Sequence, residues 1–197
     1  MNTSILQQPS ATCSILSGET EWCYDTEGRS IRFDSNGTGE LWCRCNFNYW
    51  IAAEIEWESI EQLGKEPSSQ VATTVGDGRS RAPVLVGQLE LKITITKRLP
   101  ARAQDSILSK CSTVNGFCLT DEAFRPKFFT VAIEKGTFTE PCRTGVSSSS
   151  TLPTFALRLL FDKSPYPPRA EWKSPETGPD GGRFWDHKEF VGCRLLG

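Results

Sequence analysis

The sequence lacks the residue spacings that hold metals and the motifs that bind common cofactors. Its 197 residues include one histidine and one methionine, and the formal net charge is only −2. The chain carries no CxxC pair, no phosphate-binding glycine loop, no GxSxG and no HExxH sequence. We therefore expect no metal and no cofactor, and any catalysis would rest on proton transfer, shape and electrostatics.

Charge and hydropathy argue against two further classes of partner. Lysine and arginine are scattered, without a basic stripe that would follow a phosphate backbone, so we expect no nucleic-acid partner. No apolar run approaches the roughly 20 residues of a membrane-spanning helix, so no membrane span is expected. The first residues lack the basic start and apolar stretch of a secretory signal, which predicts a cytoplasmic protein with its eight cysteines reduced.

What the chain does contain is alternating hydrophobicity. From Leu89 to Thr96 every odd position is apolar and every even one polar, which is typical of a half-buried strand. Comparable runs predict further strands at 19–24, 30–33, 39–47, 50–59, 127–139, 154–162 and 187–196. Asn36-Gly37 lies between two of them and predicts a type I′ hairpin turn.

The number and spacing of these strands predict one all-β domain. We expect residues 1–17 to be a flexible lead and residues 18–197 a single up-and-down barrel of about eight antiparallel strands. At most one short helix is expected, around 101–110. The last strand would pair with the first, and a β-sandwich is the alternative. The long segments 61–85 and 164–182 would be loops that cover the mouth of the barrel.

Three features resemble a lipocalin or calycin barrel. They are Trp22 behind Gly18 at the first strand, the strand and turn over 31–39, and Arg194 on the last strand. The spacing Gly18-x-x-x-Trp22 departs from the family's Gly-x-Trp. The resemblance implies a barrel that binds a small molecule, with Trp22 at its closed end and Arg194 packed over the indole. Similarity to intracellular lipocalin-like proteins of fungal natural-product pathways implies a cofactor-free cyclase or isomerase.

Three side chains are candidates for chemistry. His187 has an unperturbed pKa near neutrality and would be a general acid or base, or else an exposed residue at a charged strand start. Arg44 would hold a carboxylate or an oxyanion if it faces inward, although the apolar pattern favours the register that turns Cys43 inward instead. Glu54 lies on an acidic strand face that is either solvated or, if inward, the source of a buried base.

The candidate ligand-binding residues are mostly aromatic. The 6 Trp, 11 Phe and 3 Tyr would either fill a core or line a cavity for a planar or polycyclic molecule. The candidates are Tyr24, Trp50, Trp57, Phe129, Phe155 and Arg158.

Three functions are compatible with the sequence. A cyclase or isomerase acting on an apolar natural-product intermediate is favoured by the family resemblance. A carrier or sensor of a hydrophobic or aromatic ligand is the first alternative, and a β-sandwich for protein interaction is the second. A cavity with converging polar groups would favour the enzyme, a purely apolar cavity the carrier, and a filled core the interaction domain.

Overall fold

Eight strands form the framework of the residues that this computed structural model describes, which are 10–45, 48–60, 82–103, 114–143 and 152–195. In chain order the strands are β1 (Trp22–Cys23), β2 (Arg29–Phe33), β3 (Thr38–Cys45), β4 (Asn48–Ser59), β5 (Val84–Ile95), β6 (Lys127–Phe138), β7 (Thr154–Phe161) and β8 (Glu189–Leu195). Each strand pairs antiparallel with the next, and β8 pairs with β1 to close the barrel. The predicted up-and-down all-β barrel is confirmed, and the sandwich alternative is wrong.

The turn between β2 and β3 is a hairpin, but not of the predicted type. Gly37 has a positive φ of +84°, whereas Asn36 does not have a positive φ. The Gly37 amide donates to the Asp34 carbonyl at 3.1 Å, which fits a three-residue hairpin loop ending in a glycine bulge. Asn36 contributes its side-chain oxygen instead, which accepts from the Thr38 amide at 3.0 Å and from the Thr38 hydroxyl at 2.6 Å.

Helices are short but more numerous than predicted. They are α1 (Ala11–Gly18), α2 (Val114–Cys118) and α3 (Pro179–Gly182). Of the helix expected around 101–110, Ala101–Ala103 forms a 3-10 turn and the rest lies outside the described residues. No helix among the described residues is long and apolar enough to cross a membrane.

The N-terminal helix α1 replaces part of the flexible lead that the sequence predicted over 1–17. Ser10 caps it, because the Ser10 side chain accepts from the Cys13 amide at 3.2 Å. The helix buries Cys13 and Leu16, which lie one turn apart. Two apolar positions in a helix this short give too weak a periodicity to be recognised from sequence.

The barrel has two ends that differ in what covers them. Because successive strands alternate in direction, the connections 24–28, 96–126 and 162–188 share one end, which we call the plug end. The β2–β3 turn and the start of β1 lie at the other end, which we call the helix end because α1 packs there against β2 and β5.

Trp22 closes the helix end. Its ring is fully buried, and its Nε1 donates to the Leu16 carbonyl at 3.0 Å, which ties α1 to β1. On β8, a Cβ added at Gly192 would lie 3.0 Å from the indole, so only glycine fits there without a shift. The implied packing of an arginine over this ring is not observed, since Arg194 is exposed and lies across from Phe155 on β7.

The largest cluster of buried apolar side chains fills the interior of the barrel. It runs from Leu16 and Trp22 at the helix end to Tyr166, Trp172 and Phe184 at the plug end. Inward residues of β2 to β8 fill the space between.

Among the described residues, the free thiols include Cys13, Cys23, Cys118, Cys142 and Cys193. Cys111 and the side chain of Cys45 lie outside the described residues.

We expect Trp22→Ala to lower the free energy of unfolding by roughly 3–5 kcal/mol, the range for truncating a buried aromatic residue. Urea denaturation followed by far-UV circular dichroism measures the change. Phe128→Ala is the matched control, because Phe128 is 58% exposed on the outer face and should shift the midpoint little. Equal midpoints for the two variants would contradict the closing role of Trp22.

Candidate functional site

Two of the charged candidates face away from the barrel interior. Arg44 stacks on Tyr49, with 5.2 Å between its guanidinium carbon and the ring centroid, while Cys43 is fully buried. The inward-cysteine register is therefore the correct one. Glu54 is half-buried and pairs with Arg98 at 2.6 Å, so the acidic face of β4 is an outer face.

Arg158 also lies on the outer wall. It forms ion pairs with Glu134 of β6 at 2.5 Å and with Glu189 of β8 at 3.2 Å. Its guanidinium carbon lies 4.6 Å from the ring centroid of Phe138. These contacts join three neighbouring strands, and they place Arg158 away from any ligand held at the plug end.

Three aromatic candidates belong to the core. Trp57 donates from Nε1 to two backbone carbonyls of the β2–β3 turn, at 3.1 and 2.9 Å, and so lies at the helix end. Phe129 is buried and packs edge-on against Phe161, with 5.8 Å between ring centroids. Phe155 is buried in a small cluster with Phe138 and Val191.

Tyr24 and His187 meet in a buried polar cluster at the plug end. The two rings stack with 3.7 Å between centroids and 10° between planes. The Arg29 guanidinium carbon lies 4.9 Å from the Tyr24 ring centroid, and Arg29 pairs with Asp25. Asp25 is 3% exposed, and its Oδ1 accepts from three backbone amides of the β1–β2 turn at 2.9 to 3.2 Å.

His187 is buried, so the alternative of an exposed residue is wrong. The side chain is 7% exposed, and its Nδ1 has no hydrogen-bond partner within the described part of the chain. Burial, together with the nearby charge of Arg29, lowers the pKa of His187 from 6.5 to about 4. The imidazole is therefore neutral at physiological pH, and one of its nitrogens is available in a nearly dry environment.

The connection 162–188, which we call the plug, covers this cluster. Tyr166 is fully embedded in it, and its hydroxyl donates to the Trp42 carbonyl on β3 at 2.7 Å. Ser164 shapes the turn, because its hydroxyl donates to the Phe184 carbonyl at 3.0 Å and accepts from the Tyr166 amide at 3.2 Å. Burial raises the pKa of Tyr166 well above its usual range. The sequence predicted a loop here, and its burial was not foreseen.

A cleft of about 650 Å³ opens at the plug end, between the plug, α2 and the start of β4. We call it the mouth cleft. Three aromatic rings, Trp50, Phe117 and Trp172, form its apolar walls. Lys97 and Lys173 are the charged residues of its lining, and the remaining lining residues are Gly116, Cys118, Ser174, Thr177 and Pro179. Burial raises the pKa of the Cys118 thiol, so that thiol is protonated at neutral pH.

Asn115 holds one wall of the mouth cleft in place. Its Oδ1 accepts from the Ala52 amide at 3.0 Å, and its Nδ2 donates to the Ala52 carbonyl at 2.8 Å. At Ala52, β4 has no pairing partner on β5. The side-chain amide of Asn115 therefore makes the two hydrogen bonds that a neighbouring strand would make there. This fully buried contact fixes α2, and with it Phe117 and Cys118, beside Trp50.

The opposite wall depends on a close approach between the plug and β4. A Cβ added at Gly178 would lie 2.3 Å from Cζ2 of Trp50, so a larger residue there would displace the indole. The plug and α2 are joined by a bridge between Leu119 and Trp172 and by a hydrogen bond of 2.9 Å from the Lys173 amide to the Cys118 carbonyl. The cleft is thus built by several segments rather than by one loop.

A second cleft of about 430 Å³ lies outside the first three strands. Arg102 crosses it, stacking on Trp42 at 4.6 Å and pairing with Glu21 at 2.7 Å and Glu40 at 2.5 Å. Burial, assisted by neighbouring carboxylates, raises the pKa of the Cys23 thiol in its lining to about 12. Because these charges are paired with one another, this cleft is less suited to a ligand than the mouth cleft.

The described residues include no group of three or more His, Cys, Asp or Glu side chains that could hold a metal ion. Comparison of the chain with models of protein families, with curated proteins and with solved structures found no match. The class of the protein therefore rests on its own geometry, which is that of a closed, eight-stranded, antiparallel up-and-down barrel.

Of the residues predicted from the sequence, the structure brings Trp50 into the mouth cleft and joins Tyr24 to His187 beneath the plug. The sequence reasoning missed Lys97, Asn115, Phe117, Trp172 and Lys173. A signal for the lysines was available, since connections after β5 and after β7 must reach the same end of an up-and-down barrel. No sequence signal marks Asn115 as a partner of a strand edge.

The depressed pKa of His187 predicts a loss of stability in acid. The unfolded chain takes up a proton near pH 6.5, whereas the folded chain does so only near pH 4. The contribution of the neutral imidazole is therefore complete above 6.5 and is lost as the pH falls from there to about 4. Urea denaturation across this range should show a shallower decline for His187→Phe, which keeps the stacked ring but cannot titrate. Parallel declines in the two proteins would show that other groups are responsible.

Proposed function

We propose that this protein binds a small, apolar, ring-containing molecule in the mouth cleft, as a carrier or sensor. The observation that carries the proposal is the aromatic lining formed by Trp50, Phe117 and Trp172 in a concave space of about 650 Å³. Ligand sites are typically clefts of this size, with apolar and aromatic walls and a few polar groups that orient the ligand.

The interior of the barrel is filled by side chains, which favours a ligand in the mouth cleft over a ligand inside the barrel. Tyr166, Trp172 and Phe184 pack onto the core at the plug end, and Trp22 and Leu16 do so at the helix end. Trp172 is 4% exposed and contributes to both the core and the lining of the cleft. The cleft therefore has a rigid floor, and binding there requires no rearrangement of the core.

Exposure of Phe117 supports the same site. This ring is 78% exposed on a five-residue helix, although apolar residues of its size are usually buried. A planar ligand held against it would cover apolar surface that is otherwise in contact with water. Kinship with lipocalins and a cytoplasmic location, both inferred from the sequence, remain predictions. The closed barrel and the buried Trp22 support the first of them.

A cofactor-free isomerase or cyclase is a second candidate function, and the buried polar cluster supports it. The His187 Nδ1, which has no hydrogen-bond partner among the described residues, can accept a proton, and the neighbouring Arg29 and Tyr24 can stabilise an oxyanion. Two features rank this candidate second. The plug covers the cluster, and an imidazole with a pKa of about 4 is a weak base and is almost never protonated at neutral pH.

Phe117→Ala should weaken the binding of N-phenyl-1-naphthylamine, a neutral aromatic probe, by about fivefold, which corresponds to the loss of one aromatic contact. Titration followed by the fluorescence of the probe gives the dissociation constant. Because Phe117 is exposed, its truncation should leave the thermal melting curve unchanged.

Phe128→Ala is the matched control for this experiment, since it removes an equally large exposed ring from the outer face of β6. Its dissociation constant should equal that of the wild type. If the wild type does not bind the probe, or if both variants weaken binding to the same extent, the mouth cleft is not the site.

The second candidate predicts catalysis of a simple proton transfer. We expect the protein to accelerate the exchange of the α-protons of an apolar cyclic ketone with deuterium oxide, followed by NMR. His187→Phe should reduce the acceleration by roughly 10²-fold, the contribution typical of a general base. Exchange at the rate of buffer alone, or an unchanged rate in the variant, would remove the support for an enzyme.

A further inference from the structure

We propose that the ligand of the mouth cleft carries an anionic group, such as a carboxylate, sulfonate or enolate, and that Lys97 and Lys173 bind this group while the aromatic walls bind the rings. The inference rests on the proposed function, because it specifies the chemistry of the molecule held at the same site.

The charge in the lining of the mouth cleft is of one sign. Ten residues line the mouth cleft, and the charged ones are the two lysines. They come from different parts of the chain, Lys97 from the connection after β5 and Lys173 from the plug. The chain as a whole has slightly more acidic than basic residues, 24 against 22, so a lining with positive charge alone departs from its average composition.

Both lysines interact with the same carboxylate, that of Asp121. Asp121, in the 3-10 turn that follows α2, accepts a hydrogen bond of 2.8 Å from Nζ of Lys97. The pKa of Asp121 is lowered, first by this hydrogen bond and the charge of Lys97 and then by the charge of Lys173. Because Lys97 and Lys173 also line the same cleft, both ammonium groups can act on the anionic group of one ligand.

The present partners of the two lysines are groups that a ligand anion can replace. Asp121 is 90% exposed, so its ion pair with Lys97 is a surface pair of the kind that contributes little stability. Lys173 donates from Nζ to the Gly116 carbonyl, a neutral acceptor. A ligand anion would exchange a solvated pair and a neutral hydrogen bond for two charge-assisted contacts next to apolar rings.

The two lysines and the indole of Trp172 lie at different depths in the mouth cleft. Trp172 and Lys173 are neighbours in sequence, and Trp172 is buried while Lys173 is exposed. Lys97 is likewise exposed, with its Nζ 5.0 Å from the ring centroid of Phe124. The ammonium groups therefore lie toward solvent and the indole toward the core, which suits an amphipathic ligand that inserts its rings and leaves its charge outermost.

A pair of probes that differ in one sulfonate group tests the proposal. 8-Anilinonaphthalene-1-sulfonate and N-phenyl-1-naphthylamine share the same ring system, and only the first carries a charge. We expect the sulfonate probe to bind at least fivefold more tightly than the neutral one at low salt, the gain of one modest ion pair. Raising the salt to physiological concentration should reduce this advantage and leave the affinity for the neutral probe unchanged.

Three substitutions localise the effect. Lys97→Met and Lys173→Met should each remove most of the advantage of the sulfonate probe without weakening the neutral probe. Asp121→Asn should raise the affinity for the sulfonate probe by about two- to threefold, because it removes a competing carboxylate. Lys92→Met is the control, since Lys92 pairs with Glu58 on the outer wall and should change neither affinity.

The outcomes separate this inference from the function on which it rests. If neither probe binds in a manner sensitive to Phe117→Ala, the binding function itself fails. If the neutral probe binds and the sulfonate probe has no salt-dependent advantage, the mouth cleft is a neutral site and this inference is overturned. If a lysine variant does not fold, the Asp121→Asn variant and the salt dependence of the wild type still decide, because neither requires removal of a lysine.

Discussion

Closure of the barrel rests on a strand of two residues. β1 pairs with β2 through Trp22 and Cys23, and with β8 through Cys23 and Val191. So short a strand contributes few backbone hydrogen bonds, and the side chains beside it supply the rest of its stability. Trp22 is buried against α1 and Gly192, and Asp25 organises the turn that follows. The closure of the sheet at β1 is therefore supported by the indole of Trp22 and the carboxylate of Asp25.

The two ends of the barrel differ in what their covering segments contribute. At the helix end, α1 and Trp22 complete a core, which is a structural role. At the plug end, the same segment that buries Tyr166 and His187 also supplies Trp172 and Lys173 to the mouth cleft. A ligand that contacts Trp172 would therefore touch the same segment that covers the buried polar cluster.

The strands were predictable from the sequence, whereas the site was predictable only in part. Alternation specifies which face of a strand is buried, and this determined β5, β6 and β7 and the inward position of Cys43. The segment 164–182 was correctly predicted to lie outside the sheet, because proline lacks the backbone N–H that a central strand needs. That reasoning does not predict whether the segment is buried. The buried position of Tyr166 was therefore not predicted. Likewise Asn115 acts through a contact with Ala52, 63 positions away, which no local pattern encodes.

The amide of Asn115 also has a consequence for how the barrel wall opens. At Ala52 the hydrogen bonds that would belong to a strand neighbour are made by a side chain on a helix of five residues. Short helices fray far more readily than sheets unfold. In a hydrogen-exchange experiment we therefore expect the Ala52 amide to exchange whenever α2 opens locally. The neighbouring amides of the sheet would exchange only when the sheet itself unfolds. The exchange rate of the Ala52 amide proton would therefore report how often α2 opens beside the mouth cleft.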